Sequence, residues 1–395
     1  MKTINLDYSA ASPLDKAVLE KMAPFFTEHY GNPSSGHSLG EIPRKAIVEA
    51  REQIGLLIGA EARDIILTAS ASESNNLAIK GLLAGGKKKG NHIISSAIEH
   101  FSILNQLKTL QKQGFKVTLL PVDSYGLVDP EDLRKAINEE TSIISIQAAN
   151  PEIGTVQPLE ELAAVARESE VIFHTDATAA AGWLPLDVNK TGVDMLTLAG
   201  DQFFGPKGSA SLFVRRGIRL APQVEGGIQE RGLRAGTENV PAIVGLGEAA
   251  RLARETLAER SAKIAIVRDE LKEKLLSEVP HLHLNGHPEK RLPRNLNISV
   301  EFVEGEALLM RLNMAGIMVS SGSSCTSQAL KSSHVLAAIG LTPELAQGSL
   351  LFTLSSENNV DDIPYITEKL GSVAALLRNM SPLYHQFLKE AQINA

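Results

Sequence analysis

The residue with the most chemistry to offer is Cys325, the single cysteine of a 395-residue chain. It stands in Ser320-Ser321-Gly322-Ser323-Ser324-Cys325-Thr326-Ser327, a run of hydroxyls and a glycine that offers little apolar packing for a thiol. An accessible thiolate is a nucleophile and a soft metal ligand. One cysteine excludes an intrachain disulfide framework and any self-contained multi-cysteine metal site. The competing reading is a buried thiol that packs as a small hydrophobe, and the polar surroundings argue against it.

The rest of the chain must supply the elements that position such a group. With 43% hydrophobic residues it can bury a sizeable core, and its length suits one large and one smaller domain. Short aliphatic runs predict strands at 93–96, 117–122, 142–148, 171–176, 195–199 and 209–214. Helical patterns lie between them: Asp129-Pro130 opens one with Leu133, Ala136 and Ile137, and another carries Leu159, Leu162, Ala163 and Ala166 on one face. Strands alternating with helices imply a mostly parallel α/β sheet, which places ligands at the carboxyl ends of its strands. The stretch from Val244 to Leu276 reads as a long charged helix leading to a second region with a strand at Leu296–Phe302, the cysteine loop and C-terminal helices. A net charge of −7 gives no reason to expect nucleic acid or an anionic membrane as partner. The N-terminus lacks the apolar run of a signal peptide and no stretch is long enough to span a bilayer, so the expected location is cytoplasmic.

Several motifs, in order along nearly the whole chain, resemble the cysteine desulfurases of the NifS and IscS type in the class-V aminotransferase family. They include Leu6-Asp7-Tyr8-Ser9-Ala10, Gly31-Asn32-Pro33, Glu73-Ser74-Asn75-Asn76, Glu99-His100, Glu152-Ile153-Gly154, His174-Thr175-Asp176-Ala177, Arg234-Ala235-Gly236-Thr237, the cysteine loop and Ser333-His334-Val335-Leu336. The resemblance implies fold type I of the pyridoxal phosphate (PLP) transferases, with a large domain at 14–255 and a small α+β domain formed by 1–13 and 256–395. It also implies a homodimer, because in the family the loop matched by Gly226 to Thr237 reaches the neighbouring subunit's cofactor phosphate.

One departure dominates. The segment Ala199-Gly200-Asp201-Gln202-Phe203-Phe204-Gly205-Pro206-Lys207-Gly208 matches the family's Schiff-base segment, with Gln202 where the family has its lysine. An amide nitrogen has its lone pair delocalised into the carbonyl and does not form an imine as an amine does. By resemblance, Ala71 and Ser72 would face the cofactor phosphate at a helix start, Asp176 would meet the ring nitrogen, His100 would stack on the ring, and Thr237 would reach the phosphate across the dimer. Yet Pro151, Ala179 and Ala199 replace polar family residues, and Leu351 replaces the arginine expected to clamp a substrate carboxylate. Lys207 is distinct from the Schiff-base position.

The expected function is therefore a desulfurase-like platform of iron–sulfur assembly in which, without a Schiff-base lysine, PLP is not expected as cofactor. It would dock an IscU-like scaffold and offer Cys325 to sulfur or to a [2Fe-2S] cluster shared with that partner. Two alternatives are an active PLP-dependent desulfurase, and a repurposed fold that binds another small anion near Ser72.

Overall fold

The computed structural model describes residues 2–85, 90–321 and 333–393; Cys325 lies outside them. In chain order the first strands are β1 (Ile4–Asn5), β2 (Ile65–Thr68), β3 (His92–Ser96), β4 (Lys116–Leu120), β5 (Thr141–Ser145) and β6 (Ile172–Asp176). They are followed by β7 (Met195–Ala199), β8 (Ala210–Val214), β9 (Leu282–Asn285), β10 (Asn295–Val300), β11 (Ile317–Met318) and β12 (Ser349–Thr353).

Seven strands form the main sheet in the order β2-β8-β7-β6-β5-β3-β4. From β4 to β7 neighbouring strands are parallel, because helices such as Phe101–Lys112 and Leu159–Glu168 carry the chain back between them. β8 runs antiparallel to both β7 and β2. Every position of β2, β3, β5, β7 and β8 is buried, as expected of strands covered on both faces. One face packs against helix Ser38–Ile58 and the start of helix Val240–Glu278. These two helices approach so closely that a Cβ at Gly247 would stand 2.5 Å from the Cα of Ala50. The other face takes Leu77, Ile79 and Leu83 of helix Ala71–Gly85 against Ile93, Ile143 and Leu212.

A second core surrounds the antiparallel strands β9, β10 and β12. Leu296, Ile298, Leu350 and Phe352 meet Ile264, Leu271 and Leu275 from the far half of helix Val240–Glu278, and Ile4 and Leu6 join them because β1 pairs with β11. That helix is the expected charged connector, extended by a few residues at each end.

Some expected boundaries move. The strand expected to reach Phe302 stops at Val300, since Phe302 takes a left-handed φ of 66° and turns the chain. The strand expected at 142–148 is β5, which stops at Ser145, although the amides of Ile146 and Ala148 still bond the carbonyls of His174 and Asp176. β2 was not expected: four residues following a short 3-10 turn at Ala62–Asp64 give little periodicity to read.

Candidate active site

The carboxyl ends of the parallel strands gather the expected residues, as this sheet geometry requires. His100 follows β3, Pro151 follows β5, Asp176 ends β6, and Gln202 follows β7. Asp176 and His100 share no direct hydrogen bond among the described residues. Asn75 Nδ2 donates to Asp176 Oδ2 at 2.7 Å and to Ser102 Oγ at 2.9 Å, and Ser102 Oγ lies 2.8 Å from His100 Nδ1. The backbone amide of Thr178 donates to Asp176 Oδ1 at 3.0 Å, so both carboxylate oxygens have partners. His100 also serves the fold, since Nδ1 accepts from the Ser102 amide and caps helix Phe101–Lys112. Ser72 and His100 line one rim of an open depression of about 660 Å³ that also includes Lys80 and Asn105.

Two buried acids adjoin site residues in the chain, Glu99 just before His100 and Glu152 just after Pro151. Glu99 is fully buried, and desolvation pushes its carboxyl up to about 8, with the Asp176 charge adding to the rise. Ser96 Oγ and the Gln147 amide donate to Glu99 Oε1 and partly offset it. Glu152 is pushed up to about 7, again by burial, against the opposing hydrogen bond from Ser333. Near neutrality Glu99 is thus mostly a carboxylic acid, and Glu152 is poised between its two forms. His174 is held well below the ordinary range, near 4, by complete burial between Ser145 and Thr197.

The helix start at Ala71 is capped from within the chain. Ser70 Oγ accepts from the Glu73 amide at 3.1 Å, and Glu73 Oε2 accepts from the Ala69 amide at 2.8 Å. Arg234 Nε donates to Glu73 Oε1 at 2.9 Å, drawing the loop that carries Thr237 towards this helix; Thr237 itself is exposed. A carboxylate here, close to the positive end of the helix dipole, occupies the kind of place that an added anion would favour.

Gln202 uses both ends of its carboxamide. Its Oε1 accepts from Arg294 Nη2 at 2.8 Å, its Nε2 donates to the Ser9 carbonyl at 3.2 Å, and its own carbonyl accepts from Trp183 Nε1 at 2.8 Å. Ser12 Oγ bonds the carbonyl of the preceding Asp201. Ala179 and Ala199 are buried methyl side chains, and Pro151 has no N–H to donate; its carbonyl accepts from Asn295 Nδ2 at 2.9 Å. Leu351 is buried in β12 and exchanges backbone bonds with Ser320. A covalently held PLP does not fit these residues: position 202 has no amine, and the substituted neighbours have no side-chain donors.

The aminotransferase class-V model matches residues 4–363. The chain is 46% identical over 382 residues to a cysteine desulfurase IscS of Methanosarcina thermophila, covering 97% of this chain and 94% of that protein. It is 47% identical to cysteine desulfurase IscS 1 of Archaeoglobus fulgidus, covering 96% and 99%. The chain belongs to the IscS-type cysteine desulfurase family. Among solved structures, a NifS-like protein superimposes with a TM-score of 0.89 at 34% identity, covering 95% of this chain and 100% of that one. A structure titled SspA in complex with cysteine gives 0.80 at 37% identity, covering 89% and 99%.

Several residues of this IscS-type chain escaped sequence reasoning. Asn75 lay within a recognised motif, but its bridging position between Asp176 and Ser102 did not. Trp183, the single tryptophan, and Arg294 carried no motif signal, yet together with the Ser9 carbonyl they hold Gln202. Among the described residues, no helix is long and apolar enough to cross a membrane.

Proposed function

We propose that this chain is a cysteine desulfurase-like protein of iron–sulfur cluster assembly that works without the PLP aldimine. It is a dimeric cytoplasmic platform that docks an IscU-like scaffold and offers Cys325 to sulfur or to a nascent cluster. The observation that carries this reading is Gln202, whose side chain is a carboxamide already engaged by Arg294 and Ser9. The absent donors at Pro151, Ala179 and Ala199, and the absent guanidinium at Leu351, support it. Without a cofactor to draw sulfur from cysteine, the Cys325 thiolate takes the terminal sulfur of a persulfide donor. The S–S bond of the donor breaks, the donor leaves as a thiolate, and no net oxidation occurs. Alternatively the same thiolate fills the fourth cysteine position of a [2Fe-2S] cluster whose other three ligands come from the scaffold. The small domain is proposed to comprise 1–13 and 256–395 and to carry Cys325, with 14–255 as the large domain.

The test is an absorption spectrum of freshly purified protein, alone and with an iron–sulfur scaffold under anaerobic conditions. The expected result is no PLP chromophore, and an iron–sulfur chromophore that depends on Cys325 when scaffold is present. A PLP band in the protein as purified sinks this reading in favour of an active PLP enzyme.

A further inference from the structure

Position 202 is part of a buried cation site. The ring of Trp183 is fully buried, with the Arg294 guanidinium 4.5 Å and the Arg260 guanidinium 4.6 Å from its centroid. Arg260 is anchored on the Gly182 carbonyl. Arg294 is 2% exposed; its Nη2 donates to Gln202 Oε1, and its Nη1 has no hydrogen-bond partner among the described residues. Burial first, and Arg260 second, disfavour its charge, with Asp201 opposing them. A guanidinium has five donors and no acceptor, so a buried one depends on the acceptors that surround it. Gln202 supplies such an acceptor.

An ammonium at 202 would remove that acceptor and set another cation against the Arg294 guanidinium, which already has Arg260 nearby. A neutral amine there could accept from Arg294, but only through the lone pair that a nucleophile needs. We propose that Arg294 is a positioning residue that holds position 202 as a hydrogen-bond acceptor, so that an amine placed there does not act as a free nucleophile. This rests on the reading that the chain forms no aldimine, and it goes further. The exchange of lysine for glutamine is coupled to a second residue and is not reversed by one substitution.

The experiment compares the parent, Gln202→Lys, Arg294→Met and the double variant. Methionine keeps an unbranched stem without the donors and can pack on Trp183 through its sulfur. Each protein is melted, then incubated with PLP, reduced with borohydride and mapped by peptide mass. Gln202→Lys is expected to melt lower than the parent and to carry little adduct. The double variant is expected to recover melting temperature and to carry roughly tenfold more adduct at position 202, the size of a coupled pair. Two further variants test the acceptor without PLP: Gln202→Glu should melt no lower than the parent, and Gln202→Met should melt lower. Equal labelling of the single and double lysine variants overturns the proposal, as does a folded double variant that remains unlabelled, or Gln202→Met melting like the parent. Labelling of the parent at Lys207 would instead sink the aldimine-free reading, while the melting series would still report on the coupling.

Discussion

Ser333 Oγ donates to Glu152 Oε2 at 2.9 Å, tying the turn after β5 to the residue that opens helix His334–Ala338. The same hydroxyl caps that helix by accepting from the amides of Val335 and Leu336. Across the same interface His334 Nε2 lies 2.9 Å from the Glu99 carbonyl. The end of the chain's return from the cysteine segment is therefore fastened to the wall that carries Pro151, by a carboxyl group whose charge depends on pH.

That dependence has a definite sign. The Glu152 pKa is raised from 4.5 to about 7 in the folded state, so the folded protein binds the proton more tightly than the unfolded chain does. Its contribution to stability is therefore fully present below about pH 4.5 and is lost as pH rises towards 7. Glu152→Gln keeps an acceptor for Ser333 and cannot ionise. Urea titrations of parent and variant should differ little at pH 5, while at pH 8 the variant should gain on the order of 1–3 kcal/mol relative to the parent. Parallel pH profiles for the two proteins would show that Glu152 does not titrate across this range.

A second prediction concerns the cofactor. Incubation of the parent with PLP followed by borohydride should leave position 202 and its surroundings unmodified, because a carboxamide gives no reducible imine. Peptide mapping checks it. A reduced adduct on Lys207, which is exposed in the turn at Lys207-Gly208, would mean that a different amine has taken over.

How much of this was legible in the sequence differs between the fold and the site. β6 and β7 could be read directly, since each is a short segment with aliphatic, aromatic or β-branched residues, too short for a helix. Asp176 and Gln202 were recognisable only through the motifs they match; that β6 and β7 pair side by side, so that Asp176 and the turn carrying Gln202 leave the same edge, is a fact of the sheet. What holds Gln202 was not legible, because Arg294 lies 92 residues further along and only tertiary packing brings it close. The Asp176–Asn75–Ser102–His100 line was hidden for the same reason: its members come from three separate elements.

The oligomeric state gives a third prediction. The loop whose Arg234 is fastened to Glu73 also carries Ile228, which is 91% exposed, and elsewhere Phe26 and Tyr30 are bare at 60% and 67%. Apolar side chains left so open suit contact with a second copy, and two-fold closure is the commonest arrangement. Light scattering at micromolar protein should give twice the chain mass of 42.4 kDa. Replacing Ile228 with Asp should shift the population towards monomer. A monomer mass for the parent would remove the dimer from the proposed function.

The last prediction is Cys325→Ser. Serine is nearly isosteric with cysteine, and the run from Ser320 to Ser327 is already polar, so the change should cost no more than about 0.5 kcal/mol and the variant should fold and melt like the parent. Its hydroxyl is far less acidic than a thiol and a harder ligand, so steps that need a thiolate should fail. Incubation with a persulfide donor should load sulfur on the parent and not on the variant, as read by intact mass. The iron–sulfur chromophore formed with a scaffold should weaken in step. Scaffold binding itself, measured by calorimetry, should persist, because a stable docking surface is far wider than one side chain. If the variant retains sulfur and supports the cluster as the parent does, Cys325 is not the working thiol, and the proposed relay has no nucleophile left in this chain, which contains no other cysteine.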